Sequence, residues 1–234
     1  MSLLEVRSLN AGYGRVQVLW DVALSIDSDQ IAALVGANGA GKTTLLRAIS
    51  GMIPTKSGSI TLQGREITRM SIEQIVDLGI AHVPEGRRLF SGLTVRENLL
   101  LGGWRRKSTD LGRVLELFPA MGERLNQVAS TLSGGEQQMC AIARGLMGGP
   151  DLLMIDELSL GLSPKMVGEI VARLPEIAAS GTAILLVEQD IDVALSVSEQ
   201  AFVLETGRIT TSGLSTTLLA GPTIQEAYLG LAPG

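Results

Sequence analysis

The segment Gly36-Ala37-Asn38-Gly39-Ala40-Gly41-Lys42-Thr43-Thr44 constrains this chain more than any other. It follows the apolar run Ile31-Ala32-Ala33-Leu34-Val35, which reads as a buried strand, and it precedes Leu45-Leu46-Arg47-Ala48-Ile49, which reads as a helix. The pattern G-x-x-x-x-G-K-[ST] between strand and helix is that of a phosphate-binding loop. Glycines let backbone N–H groups turn inward around phosphate oxygens, and the positive N-terminal end of the helix points at the same anion. Lys42 adds a mobile cation for the β- and γ-phosphates, and the Thr43 hydroxyl can ligate Mg²⁺. A glycine-rich turn without a ligand is the bland alternative, and the spacing and context outweigh it.

Composition sets the surroundings of this loop. The chain has 234 residues, enough for a well-buried core, and a formal net charge of -5. That balance argues against nucleic acid as the main partner. The single cysteine, Cys140, excludes a disulfide within the chain and reads as a small buried residue. The single histidine, His82, sits in the probable strand Ile80-Ala81-His82-Val83 and has no partner histidine or cysteine, so a satisfied core or edge histidine is expected. No apolar run is long enough to cross a bilayer and the N-terminus lacks a signal-peptide pattern, so a soluble, cytoplasmic chain is expected.

Strands are expected at Leu3 to Leu9, Val22 to Ile26, Ser59 to Gly64 and Ile80 to Val83 from apolar alternation and apolar runs. Between the first two, Ala11-Gly12-Tyr13-Gly14 reads as an exposed turn whose tyrosine ring could stack on a purine. Ser71-Ile72-Glu73-Gln74, Thr94-Val95-Arg96-Glu97 and Ser133-Gly134-Gly135-Glu136 are capping-box patterns that open helices. From Gly86 to Gly149 the chain reads as mainly helical, a lobe inserted between two core strands, with Arg105-Arg106-Lys107 as a solvated loop and Leu111 to Phe118 as one of its helices. Ser163-Pro164 starts a helix that Pro175 kinks or ends. A hairpin through Thr206-Gly207 is expected near the end, then two short helices between Leu214 and Leu229.

Two strand ends carry further chemistry. Leu152-Leu153-Met154-Ile155-Asp156-Glu157 ends in two carboxylates at the edge where open α/β sheets bind ligands. Asp156 is suited to hold Mg²⁺ and Glu157 to polarise an attacking water. Ala183 to Val187 is a second buried strand, followed by Glu188-Gln189-Asp190.

Leu132-Ser133-Gly134-Gly135-Glu136-Gln137 resembles the signature motif of ATP-binding cassette (ABC) proteins, and with the phosphate loop and the Asp-Glu strand the resemblance covers nearly the whole chain. It implies an α/β fold: a RecA-like P-loop core (about 1–85 and 150–234) with an antiparallel β subdomain and an inserted helical lobe (about 86–149), all in one ABC ATPase domain. It implies ATP and Mg²⁺ as cofactors, with Gly36, Asn38, Gly39, Ala40, Gly41, Lys42, Thr43 and Thr44 on the phosphates and Tyr13 on the adenine. Ser133, Gly134 and Gly135 would contact the γ-phosphate across a dimer. Thr43, Asp156 and Glu85 would serve the metal, and Ser159 to Ser163 would link the two active sites.

Val83-Pro84-Glu85-Gly86-Arg87-Arg88-Leu89-Phe90, Leu158-Ser159-Leu160-Gly161-Leu162 and Leu186-Val187-Glu188-Gln189 narrow the resemblance to the LivF-type ATPase subunit of branched-chain amino acid importers. Such subunits pair with a LivG-type ATPase, or here with a second copy of the chain. They sit as peripheral subunits on the cytoplasmic face of the inner membrane beneath two permease subunits fed by a periplasmic solute-binding protein. Three residues depart from the general cassette pattern. Glu85 replaces a glutamine that senses Mg²⁺ and the attacking water. Gln189 replaces a histidine on the γ-phosphate, and a neutral amide can donate there but cannot become cationic. Leu158 replaces a proline, with little chemical effect expected.

Related importers carry urea or short amides, so the solute is not read from this chain. A soluble cassette of DNA repair or translation is disfavoured because neither a long coiled-coil insertion nor a second cassette is present. A small-molecule P-loop kinase would have no use for Ser133-Gly134-Gly135.

Overall fold

The structure, a computed structural model, describes residues 2–220. Strand β1 (Ser2–Tyr13) turns directly into β2 (Val16–Asp27), and β3 (Ile31–Val35) leads through the phosphate loop into helix α1 (Lys42–Ile49). Strands β4 (Thr55–Leu62) and β5 (Arg65–Glu66) precede α2 (Ile72–Asp77) and β6 (Ile80–Val83). The lobe follows: α3 (Val95–Gly102), a 3-10 turn at Gly103–Arg106, α4 (Gly112–Leu117), α5 (Pro119–Gly122), a second 3-10 turn at Ala129–Thr131 and α6 (Gly134–Met147). The chain returns through β7 (Leu152–Asp156), α7 (Pro164–Val171), α8 (Leu174–Ala179), β8 (Ala183–Glu188), α9 (Ile191–Val197), β9 (Gln200–Glu205), β10 (Arg208–Leu214) and α10 (Ser215–Ala220).

An antiparallel sheet in the order β2-β1-β4-β5 packs against a six-stranded sheet in the order β10-β9-β3-β8-β7-β6. In the second sheet β9, β3, β8, β7 and β6 run parallel, and β10 closes the edge antiparallel. The buried runs of β3, β7 and β8 explain the placement: a parallel sheet covered on both faces needs strands that are apolar throughout rather than alternating. On one face β3, β7 and β8 share a core with α1 and the antiparallel sheet. On the other, Val83, Leu153 and Ile155 share a core with Val95, Leu99, Phe118, Met121 and Ile142 of the lobe and with Ile170 and Ile177 of α7 and α8. The parallel strands present their C-terminal ends together, with Val35 opposite Glu188 and Asp156 opposite Val187.

Local signals account for many boundaries. Ser71, Thr94 and Ser133 all form reciprocal capping boxes, and Ser163 caps α7 with Pro164 at the first position. Cys140 is buried, and burial pushes its thiol up to about 11. The β9–β10 hairpin turns at Thr206-Gly207 as expected.

Several expectations are corrected. Ala11-Gly12-Tyr13-Gly14 is not one exposed turn: β1 runs through Tyr13, Gly12 pairs with Gln17, and a Cβ on Gly12 would collide with the Val16 carbonyl. The close cross-strand approach, not a turn, needs that glycine. The helix expected over Leu111 to Phe118 is present as α4, and Pro119 opens the separate short helix α5. Arg105-Arg106-Lys107 is not simply a solvated loop, because Arg105 donates to the carbonyls of Asp77, Gly148 and Gly149 and ties the lobe to the core. His82 is not fully satisfied: Nδ1 lies 3.5 Å from Ser50 Oγ, and Nε2 is buried without a partner among the described residues. Burial first, then the charge of Arg47, pushes its pKa down to about 4, so the ring is neutral. Of the expected C-terminal helices, α10 is present, Leu214 still belongs to β10, and the segment from 221 lies outside the described residues.

Candidate active site

The phosphate loop is held from three sides. Lys42 is 5% exposed, and its Nζ donates to the carbonyls of Gly36 (2.7 Å) and Ala37 (3.4 Å). Gly36 passes so close to β9 that a Cβ would strike the Leu204 carbonyl oxygen. Gly41 caps α1 at φ 113°, a left-handed backbone that favours glycine. The β9–β10 turn braces the loop, since Gly207 N–H donates to the Ala40 carbonyl while its own carbonyl accepts from Trp20 N–H, both at 2.8 Å. The loop is therefore rigid before any phosphate arrives, which lowers the ordering cost of binding.

Asp156 ends β7 at 1% exposure, and its Oδ2 accepts from the Thr43 hydroxyl at 3.0 Å. Its Oδ1 is buried without a partner among the described residues. Burial is the main cause that pushes its pKa up to about 6, and the Thr43 hydrogen bond opposes it. An orphaned carboxylate oxygen beside a threonine hydroxyl, below the phosphate loop, is a donor set that fits a hard divalent cation. Among the described residues no three His, Cys, Asp or Glu side chains cluster, so phosphate and water would have to complete the coordination.

Asp156→Asn is accordingly expected to stabilise the nucleotide-free protein while abolishing Mg²⁺-dependent turnover. A raised folded pKa means that the folded state loses stability as pH rises from the ordinary aspartate value of 3.8 through about 6. The gain from asparagine should be present in thermal melts at pH 8 and shrink toward pH 4. A destabilised variant at pH 8 would contradict the account.

Glu157 follows at φ 52°, a left-handed conformation that costs a non-glycine residue about 1–3 kcal/mol. Its Oε1 lies 3.0 Å from Lys42 Nζ. The Lys42 ammonium and the Glu157 carboxylate thus neutralise each other.

A cleft of about 360 Å³ brings these groups together: Lys42, Thr43, Thr44 and Glu157 line it, as do Asn38, Gly39, Gly41, Glu85 and Gln189. Gln189 is not the cap of the following helix; the carboxylate of Asp190 accepts from Val193 N–H in that role. Gly36 and Ala40 lie behind the cleft wall as supports rather than lining it. Tyr13 does not line it either. Its hydroxyl accepts from Arg47 Nη1 at 2.9 Å, and that guanidinium sits 6.0 Å from the ring centroid.

Ser133, Gly134 and Gly135 are also outside this cleft. The Ser133 oxygen accepts from Glu136 N–H, which leaves the hydroxyl proton free for an outside acceptor, so a cap and a phosphate contact are compatible. Gly134 lies under the Arg87 guanidinium, and Gly135 lies against Met166 of α7.

Val18, which sequence reasoning did not single out, joins Leu160 in giving the cleft its apolar contacts. Glu188 is fully buried at the end of β8 and accepts from both the N–H and the hydroxyl of Ser159, each at 2.8 Å. Its place after a buried strand, in the segment Leu186-Val187-Glu188-Gln189, was the local signal.

Residues 19–159, more than half of the chain, match the family described as ABC transporter. The chain belongs to that family. The cassette is 44% identical over 97% of its length to the high-affinity branched-chain amino acid transport ATP-binding protein BraG of Pseudomonas aeruginosa, all of which it covers. It is 36% identical over 98% of its length to the probable branched-chain amino acid transport ATP-binding protein LivF of Archaeoglobus fulgidus, covering 99% of that protein. The ATP-binding subunit of an ABC transporter superposes on 97% of the cassette and 96% of its own chain with a TM-score of 0.82 at 29% identity. The cassette therefore has the ABC ATPase fold and binds ATP.

Proposed function

We propose that this cassette hydrolyses ATP to drive uptake of branched-chain amino acids through separate permease subunits. The observation that carries the reading is the convergence of Lys42, Thr43, Glu85, Glu157 and Gln189 on one cleft, with Asp156 hydrogen-bonded to Thr43 behind it. Loop N–H groups and Lys42 take the phosphates, with Gly36 to Thr44 as the cradle. Thr43 and Asp156 would hold Mg²⁺, whose charge would offset that developing on the phosphates, and Glu85 would serve the metal or its water. Glu157 accepts a proton from the attacking water as the new oxygen–phosphorus bond forms. The bond to the β-phosphate oxygen breaks, and ADP leaves with the electron pair. The Gln189 amide donates to the γ-phosphate or to that water. Tyr13 stacks on the adenine with the ring face that Arg47 leaves open.

The absence of Ser133 to Gly135 from the cleft of their own chain supports a dimer in which those residues meet the partner's nucleotide. The second cassette is a LivG-type subunit or another copy. Exposed Met52, Ile72, Val76, Phe90, Leu101 and Trp104 surround a groove of about 430 Å³ between core and lobe, which suits an apolar segment of a permease. No helix among the described residues is long and apolar enough to cross a membrane, in keeping with a peripheral subunit at the cytoplasmic face. Two permeases and a periplasmic solute-binding protein complete the importer.

The test is reconstitution of the cassette with its co-purifying permeases, partner cassette and binding protein in liposomes. ATP-dependent accumulation of leucine, isoleucine or valine is expected. Accumulation of urea or short amides instead would overturn the substrate assignment.

A further inference from the structure

We propose that Glu188 is the positioning residue for the catalytic carboxylate: by gripping Ser159 it locks the loop carrying Glu157 to the end of β8, which Gln189 directly follows. The inference rests on the reading of Glu157 as the carboxylate that polarises water.

The first observation is how Glu188 is satisfied. It ends a central strand of the parallel sheet and is 0% exposed. Among the described residues no cation lies within salt-bridge distance of it, so its charge is met by hydrogen bonds alone. A buried carboxylate without a cation is costly unless its oxygens find donors. Both do, chiefly on one residue: Oε1 takes the Ser159 N–H and Oε2 takes the Ser159 hydroxyl, with the Gln189 backbone N–H as a further donor to the carboxylate. A two-point grip fixes both the position and the orientation of the peptide it holds.

The second observation is what lies between the grips. Glu157 N–H donates to the Val187 carbonyl at 2.9 Å. The segment from Glu157 to Ser159 is therefore pinned to β8 at both ends, to Val187 at one and Glu188 at the other. Glu157 inside it holds φ 52°, and strained conformations of this kind persist only where their surroundings over-determine them. The Glu188 grip supplies that constraint and aims the Glu157 side chain into the cleft. Because Gln189 is the next residue after Glu188, any displacement of Gln189 by a γ-phosphate passes directly to Ser159 and the loop it opens. Glu188 itself does not line the cleft, so it acts through Ser159 rather than on the nucleotide.

The experiment measures kcat, KM for ATP, equilibrium ATP binding and melting temperature for Ser159→Ala, Glu188→Gln, Glu188→Ala and the double variant Ser159→Ala/Glu188→Ala in the assembled transporter. Glu188→Ala should lower kcat on the order of tenfold or more, since misplacing a reacting group by about an ångström is that damaging. ATP binding should stay within about twofold, because the grip touches no phosphate. Glu188→Gln, which keeps the shape and can still meet both Ser159 groups once the hydroxyl turns, should recover part of the rate. Ser159→Ala should fall in the same direction, and the double variant should be no worse than Glu188→Ala, because both substitutions remove one interaction.

Wild-type kcat in folded Ser159→Ala would overturn the proposal, as would a double variant that falls by the product of the singles or losses confined to KM. Should Glu188→Ala fail to fold, the Ser159→Ala rate decides. Glu157→Gln measured alongside separates the two readings. If it hydrolyses at the wild-type rate, the assignment of Glu157 fails; if it is inactive while the Glu188 and Ser159 variants are unaffected, only the positioning role fails.

Discussion

Lys42→Ala is expected to remove hydrolysis almost completely in the assembled transporter, by on the order of 10²–10³-fold, because a preorganised cation is lost where phosphate charge develops. ATP binding should weaken in parallel. The structure adds a second consequence. Lys42 Nζ also neutralises Glu157, whose side chain is only 11% exposed, so alanine leaves a mostly buried carboxylate without its cation. Leaving such a group unpaired costs about 1–3 kcal/mol. The single variant should melt below wild type, and Lys42→Ala/Glu157→Gln should recover most of that loss while remaining inactive. Turnover near wild type in Lys42→Ala would contradict the reading of the phosphate loop. A melting deficit that the double variant does not recover would contradict the reading of the ion pair alone.

Glu157→Gln has the opposite balance. The Glu157 carboxylate pairs with Lys42 and would compete with phosphate for it. A neutral amide competes less, so ATP should bind at least as tightly as in wild type. Hydrolysis should slow by on the order of 10²-fold or more, because the proton acceptor for the attacking water is gone. Tight binding with slow turnover should accumulate the ATP-bound dimer, visible by size-exclusion chromatography with light scattering. The dimer should form with the LivG-type partner or with a second copy, and it should disperse when ATP is removed. If ATP and this variant give no dimer with either partner, the model of a nucleotide sandwiched between Lys42 of one cassette and Ser133 of the other is in trouble.

What the sequence by itself determined is what short-range chemistry determines. The phosphate loop was legible because a polyanion cradle needs a fixed order of glycines, lysine and threonine between a buried strand and a helix. The capping boxes at Ser71, Thr94 and Ser133 were legible because both partners lie three residues apart. The apolar runs of β3, β7 and β8 were legible as buried strands, and Asp156-Glu157 marked where burial ends. Only the tertiary structure decided the rest, because the remaining interactions join residues whose separation in the chain carries no pattern. Glu188 reads in the sequence as one more acid after a strand. Its burial, and its grip on a serine 29 positions away, follow from strand register. Arg105 reads as part of a solvated basic run until carbonyls of two distant turns close around it. Gly12 reads as a turn glycine until the cross-strand partner shows why no Cβ fits. The pairing of Lys42 with Glu157 joins two motifs that are each legible alone, and their mutual neutralisation arises only when the parallel sheet, with β8 between β3 and β7, brings both to one edge.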